Sequence, residues 1–473
     1  MQQSSKASPA VVPAPEAIKQ GIISWTESSY GGRVIRVEQV RRWRPIWRVD
    51  VDVDGVINSL AFKGPRDGEV IPYPVEHELN MLQILRANGI PVPPVHGLCP
   101  FPPAVVMDWM PGGRDPGMVM MAAESGSAMS DDRWAASLEY MDHLAAMHKL
   151  HAALFQPAGL PVPDGPRELA LNGFERFYAL GKRHGIVDPF MEFCRVWLHR
   201  NVPQNRQRIS FVTGDCCQFL SEGADVTTLL DMEIGYLGDH LSDLACFVGR
   251  HPVENLGDIG ALFKRYEQSF GEKIDVDALA YQVVVFMTVA FVFPVFTLPV
   301  TLPGGDWVES QVQVAFCGRR CAEALADVMG VALDDEIRLP APLASPLEDM
   351  AINKLVEEIE HLPATEFFPA WKREMINKIP RWLASQIHYG RWAEEEDLND
   401  LEKILGVRPA NNAEADVALC DFIASAGPEH DEQLVRFFYR RTLRQCHICV
   451  GPEAPADHII FARLEAVKSL YRA

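Results

Sequence analysis

The chain has 473 residues, 48% of them hydrophobic and 23% charged, which is the composition of a soluble globular protein with room for two or three cores. Forty-four basic against 64 acidic side chains give a formal net charge of −20, which argues against a general polyanion binder and so against nucleic acid as a partner. The ten cysteines show no disulfide framework, and a reduced, cytoplasmic protein is expected.

The N-terminal MQQSSKASPAVVPAPEA lacks the apolar run of a signal peptide, and residues 1–25 read as a disordered Ala/Pro tail. Residues 33–63 read as β-structure. Within them WRVDVDVDGVINSLAFKG alternates through Trp47, Val49, Val51 and Val53, turns at Asp54-Gly55 and continues into a strand ending at Lys63. VEHELNMLQILRAN sets Val75, Leu79, Leu82 and Leu85 at helical spacing, and Gly89 closes that helix. AVVMDWMPGG is a strand with a glycine-rich exit. These elements make a small mixed lobe over residues 26–113.

From about residue 130 the pattern is helical, and residues 114–335 form a larger lobe. LEYMDHLAAMHKLHAAL and FERFYALGKR are amphipathic helices, followed by a strand pair at 209–213 and 226–231. The stretch YQVVVFMTVAFVFPVFTLPVTLP has the length of a membrane span. It is broken by Pro294, Pro299 and Pro303, so a buried core helix is expected and no membrane. The Pro-rich DEIRLPAPLASPLED marks a linker at 336–349. Helical patterns at 350–362, 394–405, 431–446 and 456–471 then form an all-α C-terminal domain, residues 350–473, through which copies of the chain could associate.

The densest chemical signal is TGDCCQFLSEGADVTTLLDMEIGYLGDHLSDLA, from Thr213 to Ala245. It sets Asp215 on a loop, Asp231 sixteen residues later behind an apolar strand, and a Gly-Asp-x-x-x-Asp-Leu-Ala tail after that. Two carboxylates flanking a hairpin suit phosphoryl transfer, one beside the attacking hydroxyl and one on magnesium.

Residues 30–335 resemble the aminoglycoside phosphotransferase and choline kinase family, with its protein-kinase-like fold. That family carries a His-Gly-Asp-x-x-x-x-Asn loop, an Asp-Trp/Phe-Glu metal motif and a Gly-Asp-Pro-x-x-Asp-Leu-Ala tail. Here these read Thr213-Gly214-Asp215, Asp231-Met232-Glu233 and Gly238-Asp239 through Ala245. The resemblance implies an α+β fold of two lobes, a small β-rich N-lobe and a helical C-lobe, with the all-α domain added. It implies transfer of phosphate from ATP or GTP with Mg²⁺ to a hydroxyl of a small-molecule acceptor. Asp215 would be the catalytic aspartate and Asp231 a metal ligand, while Asp243 would support the loop backbone. Lys63 would hold the α- and β-phosphates, fixed by Glu78 or by Glu76 on the following helix. Met107 and Trp109 belong to a hinge that reads adenine, or to interdomain core.

The chain departs from the family at three places. Gln218 stands nearest the family's asparagine as a second metal ligand, if the loop is two residues shorter. Thr213 replaces the first histidine. Where relatives place a glycine-rich loop over the phosphates, this chain has Arg41-Arg42-Trp43-Arg44-Pro45-Ile46-Trp47. Glycine lets backbone N–H groups approach phosphate, and Trp and Pro do not. Either Arg42 and Arg44 replace those contacts with guanidinium contacts, or the loop occludes the nucleotide and leaves a degenerate kinase that binds without transfer.

The acceptor would be gripped by residues 165–205 and 250–310, where Phe174, Phe177, Tyr178 and Trp197 favour an acceptor that is not polycationic. Cys446 and Cys449 with His458 have zinc-like spacing without a second cysteine pair. Cys216 and Cys217 follow Asp215 and read as a packed pair.

Overall fold

A computed structural model describes residues 14–40, 44–65, 71–113, 129–251, 253–298, 306–334, 336–364 and 367–472. Of the expected disordered tail, residues 1–13 lie outside the described residues, and residues 15–25 form helix α1 (Pro15–Trp25). Ile18, Ile22 and Trp25 fall on one helical face, Ile22 is fully buried, and Trp25 meets the ring of Phe62 edge-on at 5.5 Å. Apolar periodicity outweighs the Ala/Pro-rich composition once the helix has a sheet to cover.

That sheet has five antiparallel strands, β1 (Arg33–Val40), β2 (Ile46–Val53), β3 (Val56–Lys63), β4 (Val95–Pro100) and β5 (Pro103–Asp108), in the order β1-β2-β3-β5-β4. The expected hairpin is present. Asp54 and Gly55 both adopt left-handed backbone, φ 54° and 84°, which a two-residue turn between twisted strands requires. Trp47 pairs with Phe62 and Val49 with Leu60, and these side chains with Val51 and Ile22 form the core under α1. Strand alternation puts Ala61 and Lys63 on the opposite face, toward helix α2 (Val75–Ala87).

The larger lobe contains α3 (Asp131–His148), α4 (Pro166–Arg183) and α5 (Pro189–Arg200). Four short strands follow, β6 (Ser210–Val212), β7 (Phe219–Glu222), β8 (Asp225–Leu229) and β9 (Tyr236–Gly238), then α6 (Leu241–Arg250), α7 (Ile259–Phe270), α8 (Val276–Thr297) and α9 (Trp307–Met329). Asp188, Asp258, Asp275 and Asp306 each cap a helix by accepting a bond from a first-turn N–H. The strand pair expected between 209–213 and 226–231 is two pairs. β6 joins β9, and β7 joins β8, because the connection from Glu222 to Asp225 is short enough for a hairpin of its own. Helix α8 is apolar over a membrane's length, Val276–Val295, and 72% of its most apolar window is buried within the fold, as expected of a core helix.

Residues 336–345 carry no helix or strand, and α10 (Pro346–Glu360) takes up the rest of the segment expected as linker. The other C-terminal helices are α11 (Phe367–Leu405), α12 (Asn412–Ser425), α13 (Asp431–Val450) and α14 (Val467–Arg472). The helix expected at 394–405 is the end of α11, which runs through Pro380. Within it Asp397 is buried against Arg444. Helix α12 has no counterpart among the expected helices, and residues 456–466 carry only a short 3-10 turn. The core of these helices is continuous with that of the helical lobe. Phe438 of α13 stacks on Phe190 of α5 at 4.4 Å, and the buried Arg319 of α9 donates to the carbonyls of Ile460 and Ala462 at 3.1 and 2.7 Å.

Candidate functional site

Lys63 ends β3 on the face turned toward α2, and its Nζ donates to Glu78 Oε1 at 2.7 Å. Of the two glutamates open in the sequence, Glu78 is the one that is buried, while Glu76 is exposed. The same ammonium pairs with Asp231, 168 residues away, which joins the small lobe to the turn after β8. Asp231 has φ 60°, a left-handed conformation that Asp tolerates better than most residues with a side chain.

Arg44 enters this cluster from the segment before β2. Its guanidinium forks to Glu78 and to Glu233 and is almost fully buried. Burial opposes its charge, but Glu78, Glu233 and Asp231 outweigh that and push its pKa further up, so it is a fixed cation. In this structure two buried carboxylates, Glu78 and Glu233, hold Arg44, the residue expected to face phosphate. Arg42, with Arg41 and Trp43, lies outside the described residues.

On the other side of the cleft, Asp243 of α6 organises the loop before Asp215. It accepts bonds from Thr213 N at 2.9 Å, Thr213 Oγ1 at 2.9 Å and Gly214 N at 3.0 Å, and its carboxylate meets His148 Nε2 at 3.1 Å. His148 Nδ1 in turn lies 2.8 Å from the Tyr266 hydroxyl. Gly214 has φ 77°, and the reversal it permits presents Asp215 beyond the tether. Gln218 Nε2 donates to Asp215 Oδ2 at 3.2 Å.

Arg250, at the end of α6, pairs with Asp215 and donates through Nε to Glu254 at 2.9 Å. Burial works against its charge, yet Asp215 and Glu254 hold its pKa well above the ordinary arginine value. The buried Arg320 of α9 fixes this helix end by donating to the carbonyls of Gly249 and His251 at 2.8 and 2.6 Å. Sequence reasoning gives Arg250 no role and does not pair Glu233 with Arg44, since nothing in their spacing reveals partners brought together only by the fold.

A small sheet carrying a lysine paired to a helix glutamate faces a helical lobe with two loop aspartates. The arrangement is protein-kinase-like. No protein-family model matches the chain, and no curated protein is significantly similar to it. Among solved structures, it is similar to a candidate aminoglycoside phosphotransferase of Ralstonia eutropha JMP134, with 19% identity over 63% of this chain and 94% of that one and a TM-score of 0.46. A macrolide 2'-phosphotransferase from Brachybacterium faecium, as the apoenzyme, shows 15% identity over 63% and 97%, with a TM-score of 0.42. A thermostable mutant of aminoglycoside phosphotransferase APH(4)-Ia, with ADP and hygromycin B, shows 13% identity over 63% and 96%, also at 0.42. At such identities the activity of this chain rests on its own residues.

Met107 is buried in the core with Met81 and Leu85. Trp109 is half-buried beneath Arg48, whose guanidinium carbon lies 5.4 Å from the ring centre. Phe174, Phe177 and Trp197, expected to grip an acceptor, are instead buried in the helical core, because the apolar faces of their helices pack on α8. Tyr178 is half-buried, and its hydroxyl donates to the Glu192 carboxylate at 2.8 Å. Cys446, Cys449 and His458 do not converge as a metal-binding group among the described residues.

The donors present suit a hard divalent cation. Asp231 offers carboxylate oxygen, and Gln218 Oε1 is a buried carbonyl oxygen with no hydrogen-bond partner among the described residues, an expensive state that a cation would relieve.

Proposed function

We propose that the chain is a phosphotransferase that moves the γ-phosphate of ATP to a hydroxyl of a small molecule. The observation that carries this reading is the Lys63 ammonium held between Glu78 and Asp231, which sets a cation and a metal-ligating carboxylate side by side at the lobe junction. Lys63 would meet the α- and β-phosphates, and Trp109 would border the adenine. Magnesium would sit on Asp231 and Gln218 and neutralise charge on the β- and γ-phosphates. Asp215 would orient the acceptor hydroxyl and take its proton, for which Arg250 must turn aside or share the carboxylate. Thr213, Gly214 and Asp243 keep that carboxylate in place.

The cation beside Asp215 also disfavours a polycationic acceptor. A cytoplasmic setting is consistent with ten free cysteines. Incubating the full chain with Mg²⁺ and γ-labelled ATP against neutral, anionic and polycationic hydroxyl compounds tests the reading. A labelled phosphate ester of a neutral or anionic acceptor is expected, and preferential labelling of the polycations would contradict the acceptor class.

A second reading, nucleotide binding without transfer, is favoured by the Arg250 ion pair on Asp215 and by Arg44 in place of a glycine cover. It predicts ATP binding with no labelled product from any acceptor.

A further inference from the structure

Beside Asp215 the chain gathers three thiols that phosphate chemistry does not use. Cys216 and Cys217 follow it on the loop, and Cys246 faces them from α6. All three are buried, and their sulfur atoms lie within 4.8 Å of one another. The sulfurs of Cys216 and Cys217 are 3.6 Å apart. Metal–sulfur bonds of about 2.3 Å separate two sulfurs on one ion by roughly 4 Å, so the cluster needs little adjustment to close on an ion.

The backbone is bent to make this cluster. Cys217 has φ 68°, a left-handed conformation that a residue with a Cβ adopts only at a cost. Neighbours hold it there: Cys217 N donates to the Tyr140 hydroxyl at 3.0 Å, and the Cys216 thiol donates to the carbonyl of Asp243 at 2.7 Å. The bend gathers adjacent side chains that an extended strand would send to opposite faces.

We propose that Cys216, Cys217 and Cys246 form a three-sulfur site for a soft cation, with copper(I) the ion that the donors favour. Thiolates select soft ions, and zinc requires a fourth ligand. The carboxylate of Asp215 offers Oδ1 only at 4.0 Å from Cys246 Sγ, and that oxygen is already paired with Arg250. Binding exchanges three S–H bonds for three copper–sulfur bonds and releases three protons to solvent, with no change of oxidation state. The site does not depend on the phosphotransferase reading.

The test is anaerobic titration of the reduced full-length protein with copper(I) against a competing chelator, with X-ray absorption of the loaded protein. One equivalent held by three sulfurs at about 2.3 Å is expected. Cys246→Ser should weaken retention by at least about a hundredfold, more than outer-sphere partners usually contribute, and the C446S/C449S variant should keep it. If Cys246→Ser does not fold, Cys217→Ser and the wild-type sulfur count carry the test. No retained copper, fewer than three sulfurs, unchanged retention in the cluster variants, or preference for zinc would overturn the site.

Discussion

The two sides of the cleft are held by opposite strategies. Around Lys63, the proposed nucleotide side, two cations, Lys63 and Arg44, are shared among the carboxylates of Glu78, Asp231 and Glu233, so the lobes are joined by charge. Around Asp215, the proposed acceptor side, one buried carboxylate, Asp243, accepts from donors of the neighbouring loop, and Asp215 is left at the edge with Arg250 and Gln218. Asp215 thus keeps a partly exposed edge with few partners, whereas Lys63 and Arg44 are each tied to two carboxylates.

The largest effect that would separate the two sides is on turnover. Asp215→Asn should lower transfer by about 10²–10⁴-fold while ATP binding persists, measured by product formation and calorimetry; equal loss of both would erase the distinction. Next, Arg44→Met leaves Glu78 and Glu233 buried without their guanidinium and should cost about 3–5 kcal/mol in denaturant unfolding. A neutral result would show that the charge cluster does not join the lobes.

A smaller effect is expected from pH. His77 of α2 is buried, and its Nε2 lies 2.8 Å from the carbonyl of Gly235 in the other lobe. Burial brings its pKa down to about 4. The unfolded chain therefore takes up the proton first as pH falls, so stability present above about 6.5 is lost progressively toward 4, by up to about 3 kcal/mol. His77→Gln should flatten that part of the stability profile. Smallest of all, Trp109→Ala should raise the KM for ATP severalfold with kcat little changed, by removing one face of stacking area.

Much of the small lobe is legible in the sequence because its signals are local. The alternation from Trp47 to Val53, the Asp54-Gly55 turn and the spacing of Leu79, Leu82 and Leu85 each need only near neighbours. The Lys63–Glu78 pair follows from the resemblance and from the alternation that turns Lys63 to α2. The ion pairs of Arg44 are not legible because its partner Glu233 lies 189 residues away, and a guanidinium in a loop gives no sign that it will be buried. The reading of Phe174, Phe177 and Trp197 as acceptor contacts fails for a related reason. An aromatic on an amphipathic helix looks the same whether it lines a pocket or packs on α8. That α11 is one unbroken helix is not legible, because it runs from Phe367 to Leu405 through Pro380. Packing along a long helix can offset the hydrogen bond that one proline removes.

The central claim is that Lys63 and Asp231 mark a metal-dependent nucleotide site. Thermal unfolding of wild type and Asp231→Asn, with ATP in the presence and absence of Mg²⁺, tests it most directly, because a ligand of the native state raises the midpoint by mass action. The account predicts stabilisation of the wild type by ATP only with Mg²⁺, and loss of the Mg²⁺-dependent part in Asp231→Asn. No stabilisation of the wild type, or the same Mg²⁺-dependent shift in both proteins, would contradict it.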